Sequence, residues 1–311
     1  MKIRLIFASL LSVVLCACGG GGDSGSTAST VAFTAFSDVQ PGQSVRADGQ
    51  SQTQNVTQIS GIVTAQSMNT PDLNGVSAKW TYGPGSPLVL TGIEFSTPRT
   101  GVMWNNGRGT QTVTCDAQFC SASGEGAAGV LVNAFGSVGW NFQTFGYWLA
   151  DTGLPANIAA NISAGKATLV SGVPTTGTFT YNGISGGLYV DPTGVLQEHN
   201  AVMSAVVNFD PFVRTINFLT TGTTTRPWNS GGGLSPATTL NISGVLTYAA
   251  GTNSFTGTAT MGPTGSPTMS GDATGVFYGP NAEEIGGTFR LTSTSASGSV
   301  ESITGSFGGK R

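Results

Sequence analysis

FYGPNAEEIGGTF, at residues 277–289, is the most informative stretch of this sequence for its architecture. Apolar and aromatic residues stand at both of its ends, as in two successive strands. Gly279-Pro280 between them predicts a tight turn, because turns favour glycine and proline. Gly286-Gly287 carries no side chains and permits a bulge or a close backbone approach where a small barrel bends. The stretch therefore predicts a β-hairpin within a sharply curved sheet.

Short runs of β-branched and aromatic residues continue on both sides of this hairpin, separated by Gly, Pro, Asn and Asp. Eight such runs follow residue 175, at residues 177–181, 201–209, 213–219, 242–248, 255–261, 275–278, 286–291 and 300–307. Regularly spaced short strands with turn signals indicate a sandwich or a barrel. Eight strands can close into a barrel whose interior is filled by side chains or holds one small ligand. We predict an all-β chain that ends in an eight-stranded antiparallel β-barrel.

The first half of the chain also contains strand-like pieces, but their spacing is less regular. The pattern changes at Ser171-Gly172-Val173-Pro174, where we place a domain boundary. We therefore predict a β-rich domain over residues 31–171 and the barrel domain over residues 172–311.

The cysteines of the body form a close, isolated pair. Cys115 and Cys120 are separated by a turn-like segment, and such a pair in an exported chain predicts a disulfide that closes a short hairpin. A metal site would need further histidine or cysteine ligands nearby, which the sequence does not offer.

The N-terminus has the features of an export signal. Lys2 and Arg4 precede an apolar segment, residues 5–15, that is too short to span a bilayer comfortably. Leu15, its last residue, begins the motif Leu-Cys-Ala-Cys at residues 15–18. Residues 1–17 are therefore predicted to be a lipoprotein signal peptide and Cys18 to be acylated. Residues 18–30, rich in Gly and Ser, form the tether with a typical reach of roughly 20 Å. We expect outer-membrane anchoring through this lipid, with the body displayed on the cell surface.

The charge of the chain is low and acidic. Charged residues make up 9% of the sequence, with 12 Lys and Arg against 15 Asp and Glu. Removal of the signal would also remove Lys2 and Arg4. There is no basic patch to hold a nucleic acid backbone, so nucleic acid is excluded as a partner.

The residue inventory argues against an enzyme. His199 is the one histidine of the chain, between Glu198 and Asn200. Gly-Ile-Ser-Gly-Gly at residues 183–187 matches the nucleophile-elbow pattern, but that motif requires a strand, a sharp turn and a helix, and strand-like sequence surrounds it here. We expect no catalytic residue, no metal and no cofactor.

Four segments together resemble the lobes of transferrin-binding protein B-like surface lipoproteins. They are GTFTYNG at residues 177–183, GVFYGPNAEEIGGTF at residues 275–289, GSFGGKR at residues 305–311 and NFQTFGYWLADTG at residues 141–153. The resemblance covers residues 75–311 and implies a single lobe, a handle-like domain followed by an eight-stranded barrel. It also implies a surface-exposed binding role, but the ligand-contacting loops of this family vary too much to transfer a partner.

Two segments combine an aromatic residue with an arginine, a pairing favoured in interface anchors. Residues 220–236 read as a long loop between barrel strands and contain Arg226 and Trp228. Long loops in compact folds are often functional. Trp104 and Arg108 form a similar pair in the first domain. The alternative for Trp228 is that it folds back over a barrel mouth as a plug.

The leading hypothesis for function is a surface-tethered, monomeric module that binds a protein or its cargo. One alternative is a small-molecule binder, with haem as the specific case, for which His199 or a tyrosine would be the axial ligand. Another is a membrane-embedded structural barrel, although a lipid tether would then be redundant and the chain ends in Lys310-Arg311 rather than an aromatic residue.

Overall fold

A computed structural model describes residues 30–60, 62–116, 118–151, 156–228, 230–262, 268–293 and 301–311 of the chain. The predicted signal peptide, Cys18 and all of the predicted tether except Thr30 lie outside the described residues. The predicted all-β class is confirmed: the described residues form two large sheets, with only three single-turn 3-10 helices at Phe36–Asp38, Val170–Gly172 and Thr238–Leu240.

The first sheet is the handle-like domain and is nearly closed on itself. Its strands are β1 (Thr30–Ala32), β2 (Ser44–Ile59), β3 (Ile62–Met68), β4 (Asp72–Tyr82), β5 (Leu90–Ser96), β6 (Gly101–Asn105), β7 (Thr112–Cys115), β8 (Phe119–Gly124), β9 (Ala127–Val132), β10 (Gln143–Asp151) and β11 (Ala156–Gly165). Their order is β6-β5-β4-β2-β11-β10-β9-β8-β7, and β1 and β3 also pair with β2. Asn106 bridges the two edges, because its side chain exchanges hydrogen bonds with the main chain of Val113.

The second sheet is the barrel. Its strands are β12 (Thr178–Val190), β13 (Leu196–Asn208), β14 (Thr215–Pro227), β15 (Ser235–Pro236), β16 (Ile242–Tyr248), β17 (Ser254–Met261), β18 (Met269–Tyr278), β19 (Glu284–Ser293) and β20 (Ser302–Lys310). All neighbours are antiparallel, and β13 pairs with both β12 and β14, which closes the ring. The two-residue β15 lies outside the ring beside β14, so the predicted eight-stranded barrel is confirmed.

Aromatic side chains fill the barrel, and glycines on neighbouring strands make room for them. A Cβ added to Gly275 would overlap the Phe255 ring, and one on Gly305 would lie 2.5 Å from the Phe289 ring. This alternation of large and small residues lets a small barrel fill its own interior.

The hairpin at residues 277–289 forms as predicted. Gly279 takes a positive φ of 86° in the turn between β18 and β19. Gly286 and Gly287 introduce no bulge, since the β18–β19 register runs unbroken past them. They serve close approach instead: a Cβ on Gly286 would overlap Gln143 of the handle, and one on Gly287 would lie 2.7 Å from the Phe307 ring inside the barrel.

The handle packs against the outer wall of the barrel. Leu188, Val190 and Leu196 of the barrel share a buried cluster with Phe145 and Tyr147 of β10. The predicted boundary at residues 171–174 falls within the connection between β11 and β12.

Candidate functional site

A cleft of about 270 Å³ opens where the handle strands β7, β8 and β9 approach the ends of barrel strands β13 and β14. Thr112, Ser121 and Ser123 line its handle side, while Arg226 and Trp228 line its barrel side. We call it the handle–barrel cleft. Arg226 and Trp228 are of the side-chain types that are enriched at protein–protein interfaces.

A carboxylate holds the barrel side of the handle–barrel cleft in place. Glu198 Oε2 accepts a hydrogen bond from Arg226 Nε at 2.6 Å, and Glu198 Oε1 accepts one from the Tyr147 hydroxyl, also at 2.6 Å. Glu198 is only 6% exposed, whereas Arg226 is 35% exposed. The bond to Glu198 raises the pKa of the Arg226 guanidinium. Burial and then the Glu198 charge raise the pKa of the Tyr147 hydroxyl well above its usual value. Arg226 therefore stays cationic on a fixed support.

Trp228 joins the barrel to the handle. Its main-chain N–H donates to the Leu196 carbonyl at 3.0 Å, and its ring lies 6.2 Å from the Tyr147 ring, centroid to centroid. Trp228 is half-buried and packs against the cluster between the two domains. It is neither the tip of a free loop nor a plug in the barrel.

The prediction of a long loop over residues 220–236 is wrong for its first half. β14 continues to Pro227, because Thr224 to Pro227 pair with β13 beyond a shift in register. The connection to β16 begins at Trp228, so Arg226 belongs to a strand. The five threonines between residues 220 and 225 also suit a strand, but Gly222 and Pro227 were taken as loop signals.

The predicted role of Trp104 in partner binding is contradicted by its burial. Trp104 is 1% exposed, its Nε1 donates to the Ala127 carbonyl at 3.2 Å, and its ring packs edge-on against Phe95 in the handle core. Arg108 is exposed on the connection between β6 and β7. The two residues therefore form no common surface, and only Arg108 remains a candidate.

His199 lies inside the barrel rather than at its surface. It is 1% exposed, its Nε2 lies 3.1 Å from the Thr304 carbonyl, and its ring lies 5.9 Å from the Phe289 ring. Burial lowers the pKa of His199 to about 4, so the ring is neutral at physiological pH. An axial haem ligand must offer a ring nitrogen to the iron, whereas Nε2 of His199 faces the Thr304 carbonyl inside the barrel.

The nucleophile-elbow pattern at residues 183–187 lies wholly within β12. Its glycines allow close strand approach, since a Cβ on Gly187 would meet the Thr304 carbonyl and the His199 ring. The sharp strand-to-helix turn that the motif requires is therefore missing at this place.

A second buried carboxylate, not anticipated from the sequence, fastens the two domains at the other end of their contact. Glu284 of β19 is fully buried, and its two carboxylate oxygens accept the main-chain N–H groups of Asn141 at 2.5 Å and Phe142 at 3.0 Å. Burial raises the pKa of the Glu284 carboxyl to about 7, against the effect of these hydrogen bonds and of Lys310. Because the chain has so few charged residues, each carboxylate is a candidate for a specific role, and this scarcity is the sequence signal that could have indicated Glu284.

Cys115 and Cys120 form a disulfide between β7 and β8. The bond closes the hairpin whose residues Thr112 and Ser121 line the handle–barrel cleft. It therefore stiffens the handle wall of the cleft.

Two absences concern the described part of the chain alone. Within it, no three His, Cys, Asp or Glu residues lie together in a way that could hold a metal ion. Within the same residues, no helix has the length and apolar character to cross a membrane.

Residues 173–311 match the family model of the C-lobe and N-lobe β-barrels of Tf-binding protein B. No curated protein sequence matches the chain. A point mutant of transferrin-binding protein B from Haemophilus parasuis Hp5 is a similar solved structure, at 15% identity and a TM-score of 0.42, over 79% of this chain and 53% of that one. Isotype 1 of transferrin-binding protein B from serogroup B Neisseria meningitidis matches at 13% identity and a TM-score of 0.42, over 80% of this chain and 59% of that one. The chain thus spans little more than half the length of these two proteins.

Proposed function

We propose that the chain is a single lobe of the transferrin-binding protein B type, a non-enzymatic lipoprotein of the outer membrane that binds a protein or its cargo at the cell surface. The match of residues 173–311 to the barrels of a protein named for binding transferrin carries this proposal. We further propose that the body is a monomer held to the membrane by the acyl chains of Cys18.

The handle–barrel cleft is the proposed contact surface for the partner. Its two walls belong to different domains, yet Glu198 and Tyr147 fix them relative to each other. A preorganised surface loses less conformational entropy on binding than a flexible one does. Arg226 offers a charge-assisted donor and Trp228 an aromatic face, the two side-chain types that most often dominate binding energy.

A non-enzymatic role is supported by the surroundings of the ionisable groups. Glu198 and Glu284 are the buried carboxylates among the described residues, and each is fully engaged in joining the two domains. Ser185, the serine of the nucleophile-elbow pattern, is buried in the middle of β12, and its hydroxyl has no hydrogen-bond partner among the described residues. These groups stabilise the fold rather than present reactive atoms to a substrate.

The two alternatives are less well supported. For haem, His199 would have to give up its contacts with Thr304 and Phe289 inside a filled barrel. For a membrane-embedded barrel, the outward face of β17 would meet lipid, but it carries Thr256, Thr258 and Thr260. Lipid-facing strands instead present an apolar band.

The experiment that tests the proposal is direct binding of the mature chain, residues 18–311, to a protein partner. Transferrin is the first probe, because it is the ligand in the name of the matching family. Affinity capture from host serum follows, with bound proteins identified by mass spectrometry and their affinity measured by surface plasmon resonance. Saturable binding of one protein supports the proposal. Failure to bind any protein, with haem or another small molecule bound instead, contradicts it.

A further inference from the structure

The described chain begins at one particular end of the barrel. β1 pairs in parallel with β2, and Thr30 lies opposite Ser44, the first residue of β2. Ala32 and Phe33 line a cavity of about 510 Å³ together with Asn253 and Ser254, which belong to the β16–β17 hairpin. Thr30, the first described residue, therefore lies at this end, which also carries the turns at residues 209–214 and 279–283.

The same end displays a group of exposed apolar side chains. Phe212 is 95% exposed, Leu169 73%, Val170 51% and Val213 49%. Val170 lines a cavity of about 170 Å³ together with Pro211 and Arg214, so the segments that carry these side chains are neighbours. We call Leu169, Val170, Phe212 and Val213 the tether-side rim.

The backbone holds the tether-side rim in this exposed position. Asp210 Oδ1 accepts the Phe212 N–H at 2.8 Å, and the Asp210 carbonyl accepts the N–H groups of Val213 and Arg214 at 3.1 Å. Arg214 takes a positive φ of 43°, which completes the turn. Phe212 thus points into solvent from a defined turn.

The linker half of the tether-side rim is fastened as well. The Thr168 hydroxyl donates to the Gly279 carbonyl at 2.7 Å, and Asn253 Nδ2 donates to the Thr168 carbonyl at 2.6 Å. These bonds tie the residue before Leu169 to two barrel turns. The rim therefore spans two anchored segments, and grouped exposed apolar side chains of this kind mark interaction surfaces.

We propose that the tether-side rim rests on the lipid surface to which Cys18 is anchored. A Gly- and Ser-rich stretch of twelve residues, the length that joins Cys18 to Thr30, has a typical reach of roughly 20 Å, and a lipid anchor at Cys18 would keep this end of the barrel within contact of the bilayer. Aromatic and aliphatic side chains gain free energy at the boundary between headgroups and acyl chains. This inference rests on the lipid anchor of the proposed function.

This contact would set the orientation of the protein on the membrane, while the lipid on Cys18 provides the attachment. Glu198 and Asn208 lie at opposite ends of β13, ten residues apart and so separated by roughly 30 Å. Arg226 and Trp228 lie at the Glu198 end, and Phe212 follows the Asn208 end. With the tether-side rim on the lipid, the handle–barrel cleft faces away from the membrane, where a soluble protein can reach it.

The test uses the acylated mature chain in vesicles of phosphatidylethanolamine and phosphatidylglycerol. Phe212→Cys receives an environment-sensitive fluorophore, and Leu234→Cys, 48% exposed at the cleft end, is the matched control. Because the disulfide engages Cys115 and Cys120, the introduced thiol is the one that reacts. We expect the emission at position 212 to shift to the blue and to be quenched by nitroxide-labelled lipid, with no change at position 234.

Each other outcome overturns the inference in a distinguishable way. If the protein floats with the vesicles but both probes report water, the rim does not dock although the anchor holds. If the protein does not float and its N-terminal peptide lacks acyl mass, the anchor fails and the docking falls with it. A blue shift in cell envelopes that is absent from protein-free vesicles would identify a protein, and not lipid, as the occupant.

Discussion

Glu198 on β13 and Arg226 on β14 lie directly opposite each other, and a 2.6 Å ion pair joins them where the barrel meets the handle. Tyr147 of the handle donates to the same carboxylate. The pair therefore shapes the handle–barrel cleft and fastens the two domains at once. Its removal affects both stability and binding, and the two effects can be separated.

Arg226→Met should destabilise the protein by about 2 kcal/mol, because it leaves the buried Glu198 carboxylate without its cation. The double variant Arg226→Met with Glu198→Gln should recover part of that loss, since no buried charge then remains. Urea denaturation of both variants measures the difference. Equal destabilisation by the single and the double variant would show that the buried charge is not the cause.

Glu284 should make the protein less stable as the pH rises. Its folded-state pKa of about 7 lies above the ordinary value of 4.5, so the folded state binds the proton more tightly. This contribution is fully present below about pH 4.5 and is lost as the pH rises through 7, at no more than about 1.4 kcal/mol per pH unit. Glu284→Gln should flatten the stability profile between pH 5 and 7. A variant that keeps the wild-type slope would exclude Glu284 as its source.

His199 should make the protein less stable as the pH falls, which is the opposite of the effect of Glu284. Its pKa is lowered from 6.5 to about 4 in the folded state, so its contribution is present above pH 6.5 and is lost as the pH falls towards 4. In the wild type this trend opposes that of Glu284, which makes the net profile shallow. In Glu284→Gln the stability should fall on acidification, and His199→Asn added to that variant should remove this fall above about pH 5; below that pH, Asp191 and Glu283, whose pKa values are also lowered, contribute a loss of their own. Thermal melting across pH 5–7 tests both statements, and acid sensitivity in this range that survives without His199 would contradict the second.

Cys18 should be the acylated residue. The reasons lie in the sequence: an apolar segment that ends in Leu-Cys-Ala-Cys and the glycine-rich residues that follow. Fatty-acid labelling in cells should mark the wild type and not Cys18→Ser, which should also leave the membrane fraction. Persistence of both label and membrane association in the variant would refute the anchor.

The barrel was predictable from sequence because its signals are local. The Gly279-Pro280 turn and the alternation of aromatic residues with small ones lie within a few residues of each other. The cleft was not predictable, because its geometry depends on long-range contacts: Tyr147 and Glu198 are 51 residues apart, and Asn141 and Glu284 are 143 residues apart. Trp104 was misjudged for a related reason. Its neighbour Arg108 is exposed, but the depth of a side chain depends on strands that pair from elsewhere in the chain.

The handle–barrel cleft as the partner site is the central claim, and the most direct measurement is the affinity of the captured protein for two matched variants. Thr112→Trp fills the cleft, and Thr256→Trp places the same side chain on the distant outer wall of β17; both threonines are exposed strand residues with one side-chain hydrogen bond each. Surface plasmon resonance should show a loss of about thirtyfold for Thr112→Trp, equivalent to about 2 kcal/mol, and wild-type affinity for Thr256→Trp. Equal affinity for both variants, with both folded, would place the partner elsewhere on the molecule.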